Sequence, residues 1–463
     1  MHPMHSNLTS HQQEVFQAIV HDIYSNLSSP FKGDIDTHFL SLTGAAGVGK
    51  SYLTGEIVQA VIRGIVGYGH NDNGVCITAP THKALKVIKT MLESLSIKAD
   101  YRTIQSFLGI KPTYNYSTGE EKYVIDRTKK SLPSVSLLIV DESSMVSDEL
   151  FIFIKDAFLR GRVNTVLFIG DRYQLLPVNS SSNPVFELKR QYSLTEVVRQ
   201  AKDSNIISLA TLFRERIISG EFIPILELLQ DTIANHTEDI EFFSSKEKFV
   251  QDFYKNKQWE SEDKIITTFA NEDVETFNKL VRDRHWNERG VEEPPLFLPN
   301  DRIRFKSPYD RQKSRVISNG SIFANGEEVA IRAAKVIINP NSHIKYWELE
   351  VYGRSEEDFI RVIDPQSQND FNKMLNGFID VAKTSSYENR KSYWKMYFDT
   401  KSQFADIQYI YASTIHKLQG STYDTAYIDL SNIANNQNIS NDFKYRLSYV
   451  AITRAKNSIK ILL

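Results

Sequence analysis

One cysteine in 463 residues, Cys76, excludes an internal disulfide framework and a cysteine-rich zinc site. It fits a reducing, intracellular setting, and within GVCITAP it reads as a small buried hydrophobe. Long apolar runs are missing too. Stretches such as Ser136–Val140 and Val166–Ile169 have the length of an interior strand, far short of the ~20 residues that span a bilayer. The opening MHPMHSNLTSHQQE has no basic start followed by an apolar stretch, so a signal peptide is not expected. Nor is there an excess of either charge: 55 Lys+Arg against 57 Asp+Glu give a formal net charge of -2. Composition therefore gives no sign of a nucleic-acid partner, although a groove can be basic where the sum is not. No internal repeat and no low-complexity linker stands out. Aromatic rings are plentiful, with 22 tyrosines and 26 phenylalanines; such rings fill cores and also stack on bases. At 41% hydrophobic and 24% charged the chain has a soluble, globular composition, and its length predicts two to four domains.

The first third alternates strands and helices. FLSLTG reads as a strand, and KSYLTGEIVQAVIRGI as the helix after it, with Leu53, Ile57 and Val61 along one stripe. GVCITAP and HKALKVIKTMLESL repeat the pattern. SVSLLIVDE and TVLFIGD are two further apolar strands ending in acidic residues. Apolar strands alternating with helices imply a mostly parallel sheet buried on both faces. Between Phe107 and Pro133, the aromatic and β-branched runs around STGE predict a hairpin. A second α/β region is expected to open near Pro184. It is interrupted over Pro299–Thr400 by short strand signals (DRIRFKS, GEEVAIRAAKVII, KYWELEVY, DFIRVID) that suggest a small barrel-like insert. IQYIYASTIHKLQG, TAYIDL and SIKIL then resume the α/β pattern, with a polar loop from Ser431.

Gly44-Ala45-Ala46-Gly47-Val48-Gly49-Lys50-Ser51 fits G-x-x-x-x-G-K-[ST], between an apolar strand and a helix. In that context glycines let backbone amides curl around phosphates, Lys50 reaches the β/γ-phosphates, and Ser51 ligates Mg2+. Asp141 and Glu142 close a hydrophobic strand. An acidic pair there also starts loops and caps helices. Downstream of a phosphate loop it reads as a Mg2+ holder, Asp141, and a residue that activates the attacking water, Glu142. Gln174, in GDRYQ, carries an amide able to sense a γ-phosphate. Arg199 and Arg454 are cationic forks suited to the charge that shifts in phosphoryl transfer; each read alone is also an ordinary surface arginine. Thr81, His82, Thr103, Gln105, His416 and Thr422 sit in strand-to-helix turns, where hydroxyls, imidazoles and amides meet phosphates. Core or capping roles fit each of them as well. A His82–His416 metal pair lacks a third ligand at metal-site spacing.

These segments, in this order, resemble superfamily 1 DNA helicases and, within them, the RecD-like branch: LTSHQQEVF, LTGAAGVGKSYL, APTHKALKVI, RTIQSFLG, LLIVDESSMV, FIGDRYQLLPV, LTEVVRQ, STIHKLQGSTYD and YVAITRAK. The resemblance runs from Leu8 to the end. It implies two RecA-like P-loop motor domains, the first with a β-hairpin insertion and the second with an SH3-like accessory domain. The expected spans are 1–183 for the first motor domain with a pin-like hairpin at 108–133, 184–298 and 401–463 for the second, and 299–400 for the accessory domain. By resemblance, Gln12 reads adenine, Gly44 to Ser51 and Gly420 hold ATP, Ser51 and Asp141 hold Mg2+, and Gln174 senses the γ-phosphate. Arg199 and Arg454 come from the second motor domain. Thr81, His82, Thr103, Gln105, His416 and Thr422 line the single-strand path. The implied activity is ATP-driven movement 5′ to 3′ on single-stranded DNA, with duplex junctions opened at the pin by Tyr114, Tyr116 or Tyr123. Aromatic ENRKSYWKMYFDT is a helical stretch that fits a brace for that pin. A single-strand-binding protein is an implied partner, a small monomeric phage-type enzyme the implied form, and the host cytoplasm its place. A nucleic-acid-stimulated translocase that unwinds little is the alternative reading, and a P-loop signalling protein a more distant one.

Overall fold

In a computed structural model of the chain, the described residues are 8–28, 34–67, 74–80, 82–94, 97, 99–114, 121–126, 131–177, 180, 182–196, 204–234, 238–255, 263–310, 322–352 and 358–463. They divide into two compact units. The first comprises 1–111, 125–271 and 413–463; the second comprises 112–124 and 272–412.

The first unit holds two sheets. Strands β1 (Phe39–Gly44), β2 (Val75–Ala79), β3 (Asp100–Thr103), β6 (Val135–Val140), β7 (Val163–Gly170) and β8 (Arg190–Leu194) form one, in the order β3-β2-β6-β7-β1-β8. Every adjacent pair is parallel. The apolar runs explain the arrangement. A strand that is hydrophobic at successive positions needs cover on both faces, which crossover helices provide, and β2, β6 and β7 are buried almost throughout. Helix Lys50–Gly67 supplies part of that cover, with Leu53, Ile57 and Val61 inside the core as their spacing predicts. Cys76 is buried there as expected, and burial pushes its thiol pKa up, which keeps it a protonated core residue.

The second sheet runs β18-β10-β19-β20-β9, from β9 (Ile240–Phe243), β10 (Lys264–Thr268), β18 (Ala412–Thr414), β19 (Tyr423–Asp429) and β20 (Ala455–Leu462). Helices Asn205–Ser219 and Asn441–Ile452 pack in its core through Phe213, Tyr445 and Tyr449. Ser204 and Ser440 cap them by accepting the amides of Ile207 and Phe443, and Gly220, at φ 71, closes the former. The polar loop expected from Ser431 begins as helix: Ser431–Ala434 forms a turn, because Leu430 accepts the amides of Ile433 and Ala434.

Two boundaries differ from the reading of the sequence. The second α/β region does not open at Pro184, because β8 pairs with β1 from Leu40↔Arg190 to Gly44↔Leu194 and so edges the first sheet. Its alternating polar pattern, RQYSL, is that of a half-exposed edge strand rather than an interior one. In the second unit, β11 (Arg302–Phe305), β14 (Glu328–Ile338), β15 (Lys345–Val351), β16 (Asp358–Ile363) and β17 (Ile407–Tyr409) make a five-stranded sheet, order β16-β15-β14-β11-β17, antiparallel throughout. The insert therefore ends after IQY, which is read above as part of the α/β pattern but pairs with β11. Short strands β12 (Tyr309–Asp310) and β13 (Ile322–Phe323) pair beside it. Helices Gln368–Thr384 and Tyr387–Lys401 follow, the second covering the aromatic stretch read as helical. Arg282 anchors the helix Asn271–Asn287 to this sheet through a buried, bidentate pair with Asp301 and a stack on Tyr409. The expected hairpin is β4 (Ile110–Tyr114) with β5 (Glu121–Ile125), a sheet of its own; its tip, with Tyr116, lies outside the described residues.

Candidate nucleotide site

The turn from β1 into helix Lys50–Gly67 builds one wall of a cleft of about 530 Å³. Gly47 and Gly49 take φ 80 and 81, conformations that an L side chain resists and that a tight phosphate-loop turn uses. Gly44 is required for a different reason: a Cβ there would lie 2.7 Å from Val48 Cγ2 and 3.0 Å from the Leu194 carbonyl. The Lys50 ammonium is folded over the loop, donating to the carbonyls of Gly44 (2.6 Å) and Ala45 (2.8 Å). Val48 is fully buried under the loop, and its carbonyl accepts from Gln12 Nε2 at 3.0 Å. Gln12 is itself buried, with its Oε1 on the Thr9 amide, and so sets the back of the loop.

Asp141 and Glu142 leave the end of β6 on the facing wall. Glu142 has φ 51, a left-handed conformation that costs a non-glycine residue of order 1 kcal/mol and collects at functional sites. Asn183 holds this turn, donating to the carbonyls of Ser143 and Ser144 at 3.0 Å each. Burial, and then the charge of Glu142, push Asp141 up to about 7, with the Glu142 amide and Lys50 opposing. The Ser51 hydroxyl opens on the same cleft as these two carboxyls. This donor set suits a hard divalent cation that takes its other ligands from phosphates and water. Gln174 also lines the cleft, and its buried Oε1 has no hydrogen-bond partner among the described residues.

The other side comes from the second sheet. Arg454 follows the helix Asn441–Ile452 and is almost wholly buried. Its guanidinium donates to the carbonyls of Val450 (3.0 Å), Ser421 (3.1 Å) and Leu418 (3.3 Å) and to Thr453 Oγ1 (3.0 Å). Burial lowers its pKa, while the charges of Glu142 and Asp171 pull the other way. Gly420, at φ 72, lies against Glu142.

Of the residues singled out from sequence, the cleft brings together Ala45, Ala46, Gly47, Gly49, Lys50, Ser51, Asp141, Glu142, Gln174, Gly420 and Arg454. Thr422, expected on a strand path, lines this cleft as well. Thr103 is buried and caps Ile104–Leu108 by accepting the Ser106 amide, and Gln105 is half-buried in that helix. His416 packs in a cluster with the rings of Phe269 and Phe443, where burial lowers its pKa. Thr81 and Arg199 lie outside the described residues, as does the side chain of His82. Sequence reasoning missed Asp171, Thr453, Asn183 and Tyr449. Asp171 had a signal, an acid closing an apolar strand. The others gave none, because they reach the site through tertiary packing.

Three family models match in succession: an AAA domain over 31–180, a Dda helicase SH3 domain over 310–409, and a UvrD-like helicase C-terminal domain over 409–459. The chain is 28% identical over 458 residues to the ATP-dependent DNA helicase dda of Enterobacteria phage T4, covering 91% of this chain and 94% of that one. It is 23% identical to the ATP-dependent DNA helicase Pif1 of Campylobacter jejuni, covering 90% and 86%. A crystal structure of Pif1 helicase from Candida albicans aligns with 99% of this chain and 94% of its own at TM-score 0.47 and 17% identity.

Proposed function

We propose that this chain is a superfamily 1 helicase, in which ATP hydrolysis in this cleft drives movement along single-stranded DNA and the opening of duplex DNA. The observation that carries the reading is the meeting, in one cleft, of a phosphate loop and acidic pair from one parallel sheet with an arginine from a second. In such a site hydrolysis and the relative position of the two sheets depend on each other, which is what a motor requires.

The residues divide the work. The loop amides and Lys50 bind the β- and γ-phosphates, and Gln12, fixed to the loop's back, is assigned to the adenine edge by the family resemblance. Ser51 and Asp141 would hold Mg2+, which supplies charge to neutralise the phosphate oxygens. Glu142 orients the attacking water and takes its proton as the water oxygen bonds to the γ-phosphorus and the bond from that phosphorus to the β–γ bridging oxygen breaks, releasing ADP and phosphate. Gln174 presents its unpartnered amide oxygen toward that water. Arg454 stabilises the charge that moves toward the leaving oxygen; its carbonyl partners fix the plane of the fork in advance, so little reorganisation is needed. Arg199 joins it as the second cation. Thr81, His82, Thr103, Gln105, His416 and Thr422 are assigned to the strand path, with Thr422 also reaching the nucleotide. The β4–β5 hairpin is the element that parts the duplex. Polarity 5′ to 3′, a monomeric form, a single-strand-binding protein as accessory partner and a role in phage replication or recombination follow from the family resemblance.

ATP-dependent unwinding of two matched duplexes, one with a 5′ tail and one with a 3′ tail, tests this, with Lys50→Ala beside them. Opening of the 5′-tailed duplex alone, abolished by Lys50→Ala, is the expected result. Opening of the 3′-tailed duplex alone overturns the polarity, and DNA-stimulated ATPase without unwinding favours the translocase.

A further inference from the structure

The helix Asn441–Ile452 carries a side chain that the division of labour above leaves unused. The Tyr449 hydroxyl accepts the Ala46 amide of the phosphate loop at 3.3 Å and donates to Asp171 Oδ2 at 2.5 Å. It thereby joins the second sheet's helix to two elements of the first, one of which is the cradle itself. One turn earlier on the same helix face, Arg446 donates to the carbonyls of Arg172 (2.8 Å) and Gln174 (3.0 Å). The helix is thus fastened to the turn that carries Gln174 at two points, and at one of them the same hydroxyl also covers a phosphate-binding amide. Both Tyr449 and Asp171 are about 1% exposed, and the Asp171 carboxyl is otherwise met by the Tyr173 amide at 3.0 Å.

We propose that Tyr449 is a positioning residue that couples occupancy of the phosphate loop to the seating of this helix; the inference rests on the reading of the cleft as an ATPase motor. A phosphate in the loop competes with the hydroxyl for the Ala46 amide. Binding therefore weakens one arm of the link while leaving the arm to Asp171 intact. A ligand shifts a conformational equilibrium only by its differential interaction with the two states, and this shared amide is such a difference. The hydroxyl acts against nucleotide binding in the seated state and reports the loop's occupancy to Asp171 and, along the same turn, to Gln174. Phenylalanine would fill the same space and carry neither bond.

The test compares the full-length protein with Tyr449→Phe and Asp171→Asn. It measures the affinity of a fluorescent ADP analogue and ATP hydrolysis with and without saturating single-stranded DNA. In Tyr449→Phe the amide loses its competitor, so the analogue binds about two- to fivefold tighter, the fold-change of one modest hydrogen bond. The DNA-stimulated kcat falls about tenfold while the KM for ATP does not rise. Asp171→Asn weakens the same link and shifts both quantities the same way; it decides the matter should Tyr449→Phe fail to fold. Unchanged or weaker analogue binding in the folded variants, or a rise in KM with kcat intact, overturns the proposal and leaves Tyr449 a packing residue. Wild-type protein whose ATPase ignores DNA would instead refute the motor reading, and the affinity comparison would still judge Tyr449.

Discussion

Gly420→Ala separates catalytic geometry from stability. At φ 72 an alanine bears left-handed strain of about 1–2 kcal/mol wherever it sits. Here its Cβ would also stand 2.8 Å from Ala84 Cβ and 3.3 Å from Glu142 Cγ. Relieving the closer contact takes a displacement of roughly 0.5–1 Å, since carbon atoms pack at about 3.5–4.0 Å. Ala84 is buried in its helix and gives little, so the movement falls on the Gly420 turn and on Glu142. A misplacement of that size at the group orienting the water lowers kcat by about 10–100-fold. Gly220→Ala is the control: it has φ 71 and nothing within 4 Å of the added Cβ, so it bears the strain alone. Both variants should lose melting temperature by about 2–8 °C. Only Gly420→Ala should lose DNA-stimulated ATPase turnover, measured at saturating ATP. Equal turnover in the two variants, or full turnover in Gly420→Ala, would refute the placement of Glu142 at the reacting water.

Arg454→Lys keeps the charge and discards the planar fork. Its single ammonium cannot satisfy the carbonyls of Val450, Leu418 and Ser421 together, so steady-state ATPase should show kcat down about 10²–10³-fold, with a loss of about 1–3 kcal/mol in chemical denaturation. His416 predicts a pH effect. Its folded pKa lies below the ordinary 6.5 because it is buried. Above pH 6.5 both states are neutral there and no penalty exists; below it the unfolded chain binds more protons, so stability falls as the solution is acidified. Melting temperatures from pH 7.5 to 5 should fall less steeply in His416→Asn than in wild type, and identical slopes would refute the assignment.

The nucleotide half of the site was legible because its geometry is local. A run from Gly44 to Ser51 between an apolar strand and a helix dictates its own turn, and the acids at the end of SLLIVDE project from the same sheet edge as that loop in any parallel arrangement. The edges of the sheets were less legible. β8 and β17 are short and alternate in polarity, so their sequences leave the choice of partner open; β8 pairs with β1 and β17 with β11. The strand-path residues were hardest. Thr103 satisfies a helix cap and His416 packs against two phenylalanine rings, and those local roles account for the residue types without any ligand.

Arg454 shows how the two kinds of information combine. By the family resemblance its position in YVAITRAK implies a fork near phosphate, yet the sequence says nothing of what holds it. The structure supplies carbonyls from Val450 on its own helix and from Leu418 and Ser421 on the STIHKLQGSTYD segment. The same guanidinium thus ties together two motifs that lie apart in the chain, one of them the segment carrying Gly420 and Thr422. A change in how the helix Asn441–Ile452 is seated must then alter the arginine, the Gly420 turn beside Glu142 and the Thr422 hydroxyl at the same time. That is why a contact as small as the one between Tyr449 and Ala46 suffices, in the proposed coupling, for nucleotide occupancy to be read.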